Sequence, residues 1–232
     1  MNSEHWTSLS AHHKAFAICM FFVIIAFFSN PITAEAGSAN VYHQHQNLEK
    51  KIALTFDDGP HPILTPRILS ILEKYQIKAT FFIVGENAKN YPLVVEQILN
   101  QGHEIGNHTY THDNISKQEI EACEKIIYEL TDYRTKLFRP PEGAINQTVR
   151  YISADLDYDI ILWDIDTRDW DHTSPLQISK NVMEKIRSGS IILMHDYISY
   201  NSPTPEALET IIPALLEQGY QFVIISELIG TV

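Results

Sequence analysis

The sequence predicts an α/β fold of about seven parallel strands, wound into a closed or nearly closed barrel with helices outside. Three observations predict it. From Lys51 onward, short β-rich runs alternate with longer helical patterns. Most of those runs are continuously apolar, as strands buried on both faces are. Lastly, Asp57 and Asp58, His108, Arg139, Asp166 and His195 all fall at or just beyond the C-terminal ends of different runs. A barrel gathers such ends at one mouth, whereas an open doubly wound sheet, which also fits the alternation, spreads them along an edge.

Taken in order, the N-terminus comes before any fold. His12, His13 and Lys14 precede an unbroken apolar run over 15–28, which Ser29, Asn30 and Pro31 break. Ala34-Glu35-Ala36 then supplies small residues at the positions a signal peptidase reads. That order predicts a removable secretory signal over 1–36 and an exported protein. The run is shorter than the roughly 20 residues of a membrane span, and an uncleaved anchor over 15–28 is the alternative. Cys19 lies in the run, which leaves Cys123 alone and rules out an internal disulfide. Cys123 sits in a helical pattern and reads as a small buried hydrophobe. Residues 37–50 are polar and patternless and read as a linker, with His43 and His45 in a solvated tail.

Strands are expected at 52–56, 80–84, 104–107, 137–139, 160–165, 191–195 and 222–226. Helices are expected near 67–75, 92–100, 117–132, 146–155, 175–187 and 205–218. Ser116 with Glu119 forms a capping-box pattern, and Gly102, Gly189 and Gly219 stand where helices should stop. No linker or repeat interrupts the series, so 51–232 reads as one domain.

Composition narrows the class. The chain is 44% hydrophobic and 20% charged, with 9 Gly and 11 Pro, which excludes collagen-like and low-complexity material. Its 17 basic and 29 acidic residues give a net charge of −12, without the basic footprint of a nucleic-acid binder. Eleven histidines are many for this length and leave an enzyme or metal protein open.

Two motifs carry chemistry together. Thr55-Phe56-Asp57-Asp58-Gly59 sets adjacent carboxylates at a strand end, although Asp-Asp-Gly-Pro alone reads as a turn. His108-Thr109-Tyr110-Thr111-His112 offers two imidazoles four apart, a spacing common on surfaces. Joined to the acidic pair it completes a His-His-Asp set with open positions, as catalytic zinc requires. His195, ending an apolar strand, reads equally well as a satisfied core histidine.

From Lys51 on, the chain resembles the polysaccharide deacetylases of the NodB-homology type (carbohydrate esterase family 4). The family's motifs have counterparts in order: the two above, then Arg139-Pro140-Pro141-Glu142-Gly143, Asp166-Thr167-Arg168-Asp169-Trp170 and Leu193-Met194-His195. The resemblance implies a distorted, incomplete (β/α) barrel of about seven or eight strands. It also implies that Asp58, His108 and His112 hold a divalent metal, zinc first, with cobalt, nickel or manganese as substitutes. Asp57 becomes the general base, paired with Arg139. His195 protonates the leaving amine, Asp169 orients it, and Asp166 opens the same motif and is expected to share that role. Trp170 and Leu193 wall the acetyl pocket, and Pro141 and Glu142 border the substrate.

Glu142 stands where the family usually has an aromatic residue. It retains the backbone N–H for the oxyanion, but its carboxylate alters which sugars fit. His61 reads as a solvated loop residue, with a substrate contact as the alternative. The expectation is a secreted, cell-wall-associated, monomeric N-deacetylase of amino-sugar polymers, peptidoglycan before chitin oligomers. Its rivals are an esterase of O-acetylated xylan and a catalytically silent glycan-binding protein on the same fold.

Overall fold

Alternation along each strand decides which side chains meet at the centre. The computed structural model describes residues 39–45, 49–197, 199 and 201–231. The expected signal segment over 1–36 lies outside them. Strands are β1 (Val41–Tyr42), β2 (Lys51–Asp57), β3 (Thr80–Ile83), β4 (Glu104–Asn107), β5 (Leu137–Phe138), β6 (Asp159–Ile161), β7 (Ile165–Asp166), β8 (Ile191–His195) and β9 (Gln221–Phe222). Helices are α1 (Leu64–Lys74), α2 (Gly85–Asn90), α3 (Pro92–Asn100), α4 (Lys117–Thr131), α5 (Gln147–Asp155), α6 (Pro175–Met183), α7 (Thr204–Glu217) and α8 (Ile225–Ile229).

The sheet order is β1-β6-β5-β4-β3-β2-β8-β7, with every pair parallel and β9 joined to the start of β2. Among the described residues β1 and β7 end this path without closing it. The result is the distorted, incomplete barrel that the family resemblance implies.

Ile52, Leu54 and Phe56 of β2 join Ile192 and Met194 of β8 in a core shared with α1 and α7. The intervening residues point inward. Ala53, Phe82, Leu137, Ile161 and Ile191 form a second core that α8 closes from below through Ile225 and Leu228. The same period of two carries Thr55, Asp57 and His195 to the inner face at the strands' C-terminal ends.

Some elements differ from expectation, each for a local reason. The apolar stretch 160–165 splits into β6 and β7 because Asp164 turns its carboxylate onto the Ile191 N–H, at 2.7 Å. Residues 222–226 do not continue as a strand. Ile225 N–H donates to Thr80 Oγ1 and Ser226 N–H to the Glu104 carboxylate, which starts α8 instead. The supposed linker contributes β1, which pairs with β6, and His45 N–H donates to Gly189 O at 2.9 Å. Edge coverage of β6 gives this polar segment a place that no periodicity announces. The helix α2 also goes unannounced, since it buries only Gly85 and Ala88. Cys123 is a buried free thiol whose pKa burial pushes up to about 12.

Candidate active site

Parallel register brings the two halves of the site side by side. Asp57 and His195, the last residues of adjacent strands β2 and β8, are direct partners in the ladder. Asp57 is 3% exposed, and its Oδ1 accepts from Arg139 Nη1 at 2.7 Å. Arg139, fully buried just past β5, spends its other donors on Thr55 Oγ1, Ile161 O and Leu162 O. A guanidinium fork suits this task, because no acceptor around it is left unpaired.

Asp58 follows in a left-handed turn, φ 74°. Its Oδ1 lies 3.3 Å from Nε2 of both His108 and His112. Burial opposes its charge, yet the hydrogen bond and field of His108, with His195 and His112 behind, hold its pKa at about 2. His108 is buried at the end of β4, and its Nδ1 lies 2.7 Å from Arg139 O. A carbonyl can only accept, so a proton sits on Nδ1, and Nε2 is the nitrogen turned toward Asp58. One donor atom each from Asp58, His108 and His112 lies within 4.8 Å of the others. Two imidazole nitrogens and one carboxylate, with one tautomer fixed from behind, fit a divalent metal of the zinc type. Asp57 lies farther off, its Oδ2 3.9 Å from His108 Nε2.

His195 Nδ1 meets Asp169 Oδ1 at 2.8 Å, and its backbone N–H donates to Asp169 Oδ2 at 2.9 Å. Thr204 Oγ1 donates to the same Oδ2, holding the carboxylate in place. Burial opposes charge on His195, but the hydrogen bond and field of Asp169, joined by Asp57 and Asp58, raise its pKa to about 9. A cation on Asp58 counters the part owed to Asp57 and Asp58 and leaves the Asp169 part.

Asp166 is not brought to His195, contrary to the expectation that it shares the orienting role. Its Oδ1 accepts from Arg168 N–H at 2.8 Å and stabilises its own turn. Pro141 is buried and Glu142 exposed in a one-turn 3-10 segment, Glu142 with φ 57°. Gly143 follows with φ 65°, and a Cβ there would lie 2.7 Å from the Trp163 ring. Trp170 is 48% exposed with the Arg168 guanidinium 5.6 Å from its ring centroid, and Leu193 is buried on β8. His61 caps α1, its Nδ1 accepting from Ile63 and Leu64 N–H.

Asp196 is a buried neighbour of the site that the sequence reading did not single out. It is fully buried, its Oδ2 accepts from Thr65 Oγ1, and a Cβ at Gly59 would meet its carboxyl at 2.2 Å. Burial first, then the field of Asp58 and Asp57, pushes its pKa to about 7. Its place immediately after His195 was the available signal. The packing of its carboxyl against Gly59 explains why the turn after Asp58 needs glycine.

Comparison with known proteins agrees with this arrangement. The family model described as polysaccharide deacetylase matches residues 44–161. A peptidoglycan-N-acetylglucosamine deacetylase of Bacillus cereus is 41% identical over 191 residues, covering 79% of this chain and 90% of that protein. The crystal structure of the Bc1960 peptidoglycan N-acetylglucosamine deacetylase superposes with a TM-score of 0.79 at 34% identity, over 87% of this chain and 98% of that one. A family 4 acetyl xylan esterase from Clostridium thermocellum, solved with a cobalt ion, gives 0.71 at 34% identity, over 78% and 91%. On sequence and fold alike, this chain belongs to the polysaccharide deacetylases of the NodB-homology type (carbohydrate esterase family 4), a family of hydrolases.

Proposed function

We propose that this protein is a divalent-metal-dependent N-deacetylase of amino-sugar polymers, with peptidoglycan as its substrate and acetate as a product. One observation carries the reading: Asp57, backed by Arg139, stands in register with His195, backed by Asp169, beside the Asp58-His108-His112 donor set. The peptidoglycan-acting relatives support the choice of substrate.

Amide hydrolysis needs a proton removed from water and another delivered to nitrogen. Asp57 takes the first as water oxygen bonds to the acetyl carbon. His195 gives the second to the sugar nitrogen as the C–N bond breaks, leaving acetate and a free amine. Asp169 and Thr204 keep the imidazole aimed. The backbone N–H at Glu142 faces the developing oxyanion, while Pro141, Trp170 and Leu193 border the sugar and its acetyl group. Asp58, His108 and His112 would hold the metal, zinc first, which supplies Lewis acidity to the acetyl carbonyl and acidifies water.

The leader over 1–36 sends the enzyme to the wall as a monomer. Among the described residues no helix is long and apolar enough to cross a membrane. Sequencing of the exported protein should find Gly37 at its N-terminus.

The test is mass spectrometry of N-acetylated peptidoglycan and N-acetylglucosamine oligomers incubated with zinc-loaded protein. Acetyl loss is expected, abolished by a chelator and restored by zinc or cobalt. Acetate released solely from O-acetylated xylan would make it an esterase. No release from any polymer would defeat the catalytic reading and leave a glycan-binding protein.

Asp169→Asn should pull the alkaline limb of the rate profile toward neutrality, since the anion that keeps His195 protonated is gone. The same linkage governs stability. In the metal-free protein the raised pKa of His195 stabilises the fold fully below about pH 6.5, and that contribution disappears as pH climbs through about 9. An Asp169→Asn enzyme with an unmoved alkaline limb would remove Asp169 from this role.

A further inference from the structure

The Ser116-x-x-Glu119 pattern at the start of α4 only half closes. Ser116 Oγ accepts from Glu119 N–H at 3.2 Å, as a cap should. The reciprocal bond, from Ser116 N–H to the Glu119 carboxylate, is not made among the described residues. Glu119 Oε2 accepts instead from Thr111 N–H at 2.8 Å and from Thr111 Oγ1–H at 2.9 Å. A charged acceptor has left its own helix to hold a residue between His108 and His112.

The two histidines differ in what stands behind them. His108 is buried and fixed through Nδ1 by Arg139 O. Among the described residues the polar and ring partners of the His112 side chain are Asp58 and the His108 ring alone, and the side chain is 37% exposed. Its orientation therefore depends on its backbone, which is left-handed at both Thr109 and His112, φ 67°. Thr109 N–H donates to Asn107 Oδ1, and His112 N–H donates to Thr109 Oγ1. Between those anchors, Glu119 holds Thr111, the residue next to His112.

We propose that Glu119 is a positioning residue for the metal-ligand loop, fixing His112 through Thr111 rather than completing the helix cap. The inference rests on the metal-site reading above. Acceptors one shell out from a metal ligand commonly govern affinity by about 10–100-fold. Charge-assisted bonds such as this pair are the stronger kind.

The experiment measures Zn2+ and Co2+ dissociation constants by chelator competition, with thermal unfolding alongside. Glu119→Ala should weaken both ions by roughly 10–100-fold. Glu119→Gln keeps an acceptor oxygen and should recover most of the affinity. Ser116→Ala, which removes the cap alone, should lower Tm and leave affinity at the wild-type value. Thr111→Val added to Glu119→Ala should cost little beyond Glu119→Ala, because both act through one contact. Glu119→Ala with wild-type affinity and the Tm loss of Ser116→Ala would make Glu119 a cap residue and overturn the proposal. So would wild-type protein that binds neither ion. Binding is read without turnover, so protein that holds zinc but releases no acetate defeats the deacetylase reading alone.

Discussion

Asp57→Asn is expected to keep the fold and the metal while slowing acetate release by about 10^2–10^4-fold, the usual worth of a positioned proton acceptor. Asparagine is nearly isosteric, and its oxygen can still accept from Arg139 Nη1, so the 2.7 Å contact has a successor. What it cannot do is take a proton from water. Asp57 lies outside the three-donor cluster, so the Co2+ affinity of the variant should match wild type. Measured together, kcat and metal affinity separate the roles. Loss of rate with affinity intact is the signature of the base. Loss of both would make Asp57 part of the metal scaffold, and a variant with wild-type kcat would remove it from the chemistry.

Much of this site was legible because the chemistry sits at strand ends and the strands are strongly apolar. The stretches 104–107 and 191–195 coincide with β4 and β8, and they place His108 and His195 where they are observed. Elements set by one or two tertiary hydrogen bonds were not legible. Asp164 breaks β6 from β7, and Thr80 with Glu104 turns the end of 222–226 into α8. None of these acceptors is near its donor in sequence. The same holds within the site. Asp166 and Asp169 are equivalent as letters, and only the fold shows that Asp169 reaches His195 while Asp166 closes its own turn. Glu119 is the sharper case, since a local pattern predicted its partner to be Ser116 and the ligand loop took it instead. Local propensity is a prior that one well-placed charge-assisted bond overrides.

Arg139→Met should cost about 3–5 kcal/mol of folding stability, the penalty for removing one member of a buried ion pair. Arg139 is fully buried, and its guanidinium carbon lies 4.0 Å from the centre of the Phe82 ring. Methionine can fill part of the volume and keep the contact with Phe82. It leaves Ile161 O, Leu162 O and Thr55 Oγ1 without their donor and the Asp57 carboxylate without its cation. The orphaned carboxylate accounts for most of the cost, and this can be checked. Asp57→Asn on the Arg139→Met background removes the uncompensated charge and should restore part of the lost stability, although each substitution alone is destabilising. Arg139→Lys should not substitute, because a single ammonium cannot reach the fork's acceptors together. Urea unfolding of the two single variants and the double variant decides the matter. A double variant no more stable than the sum of the singles would mean that Arg139 supports the barrel through its carbonyl contacts and that its pairing with Asp57 is incidental. The coupling predicted here makes the base's partner part of the fold as well as of the site. It also explains why Arg139 sits at the end of the two-residue strand β5, where His108 can donate to its carbonyl and Asp57 can accept from its side chain.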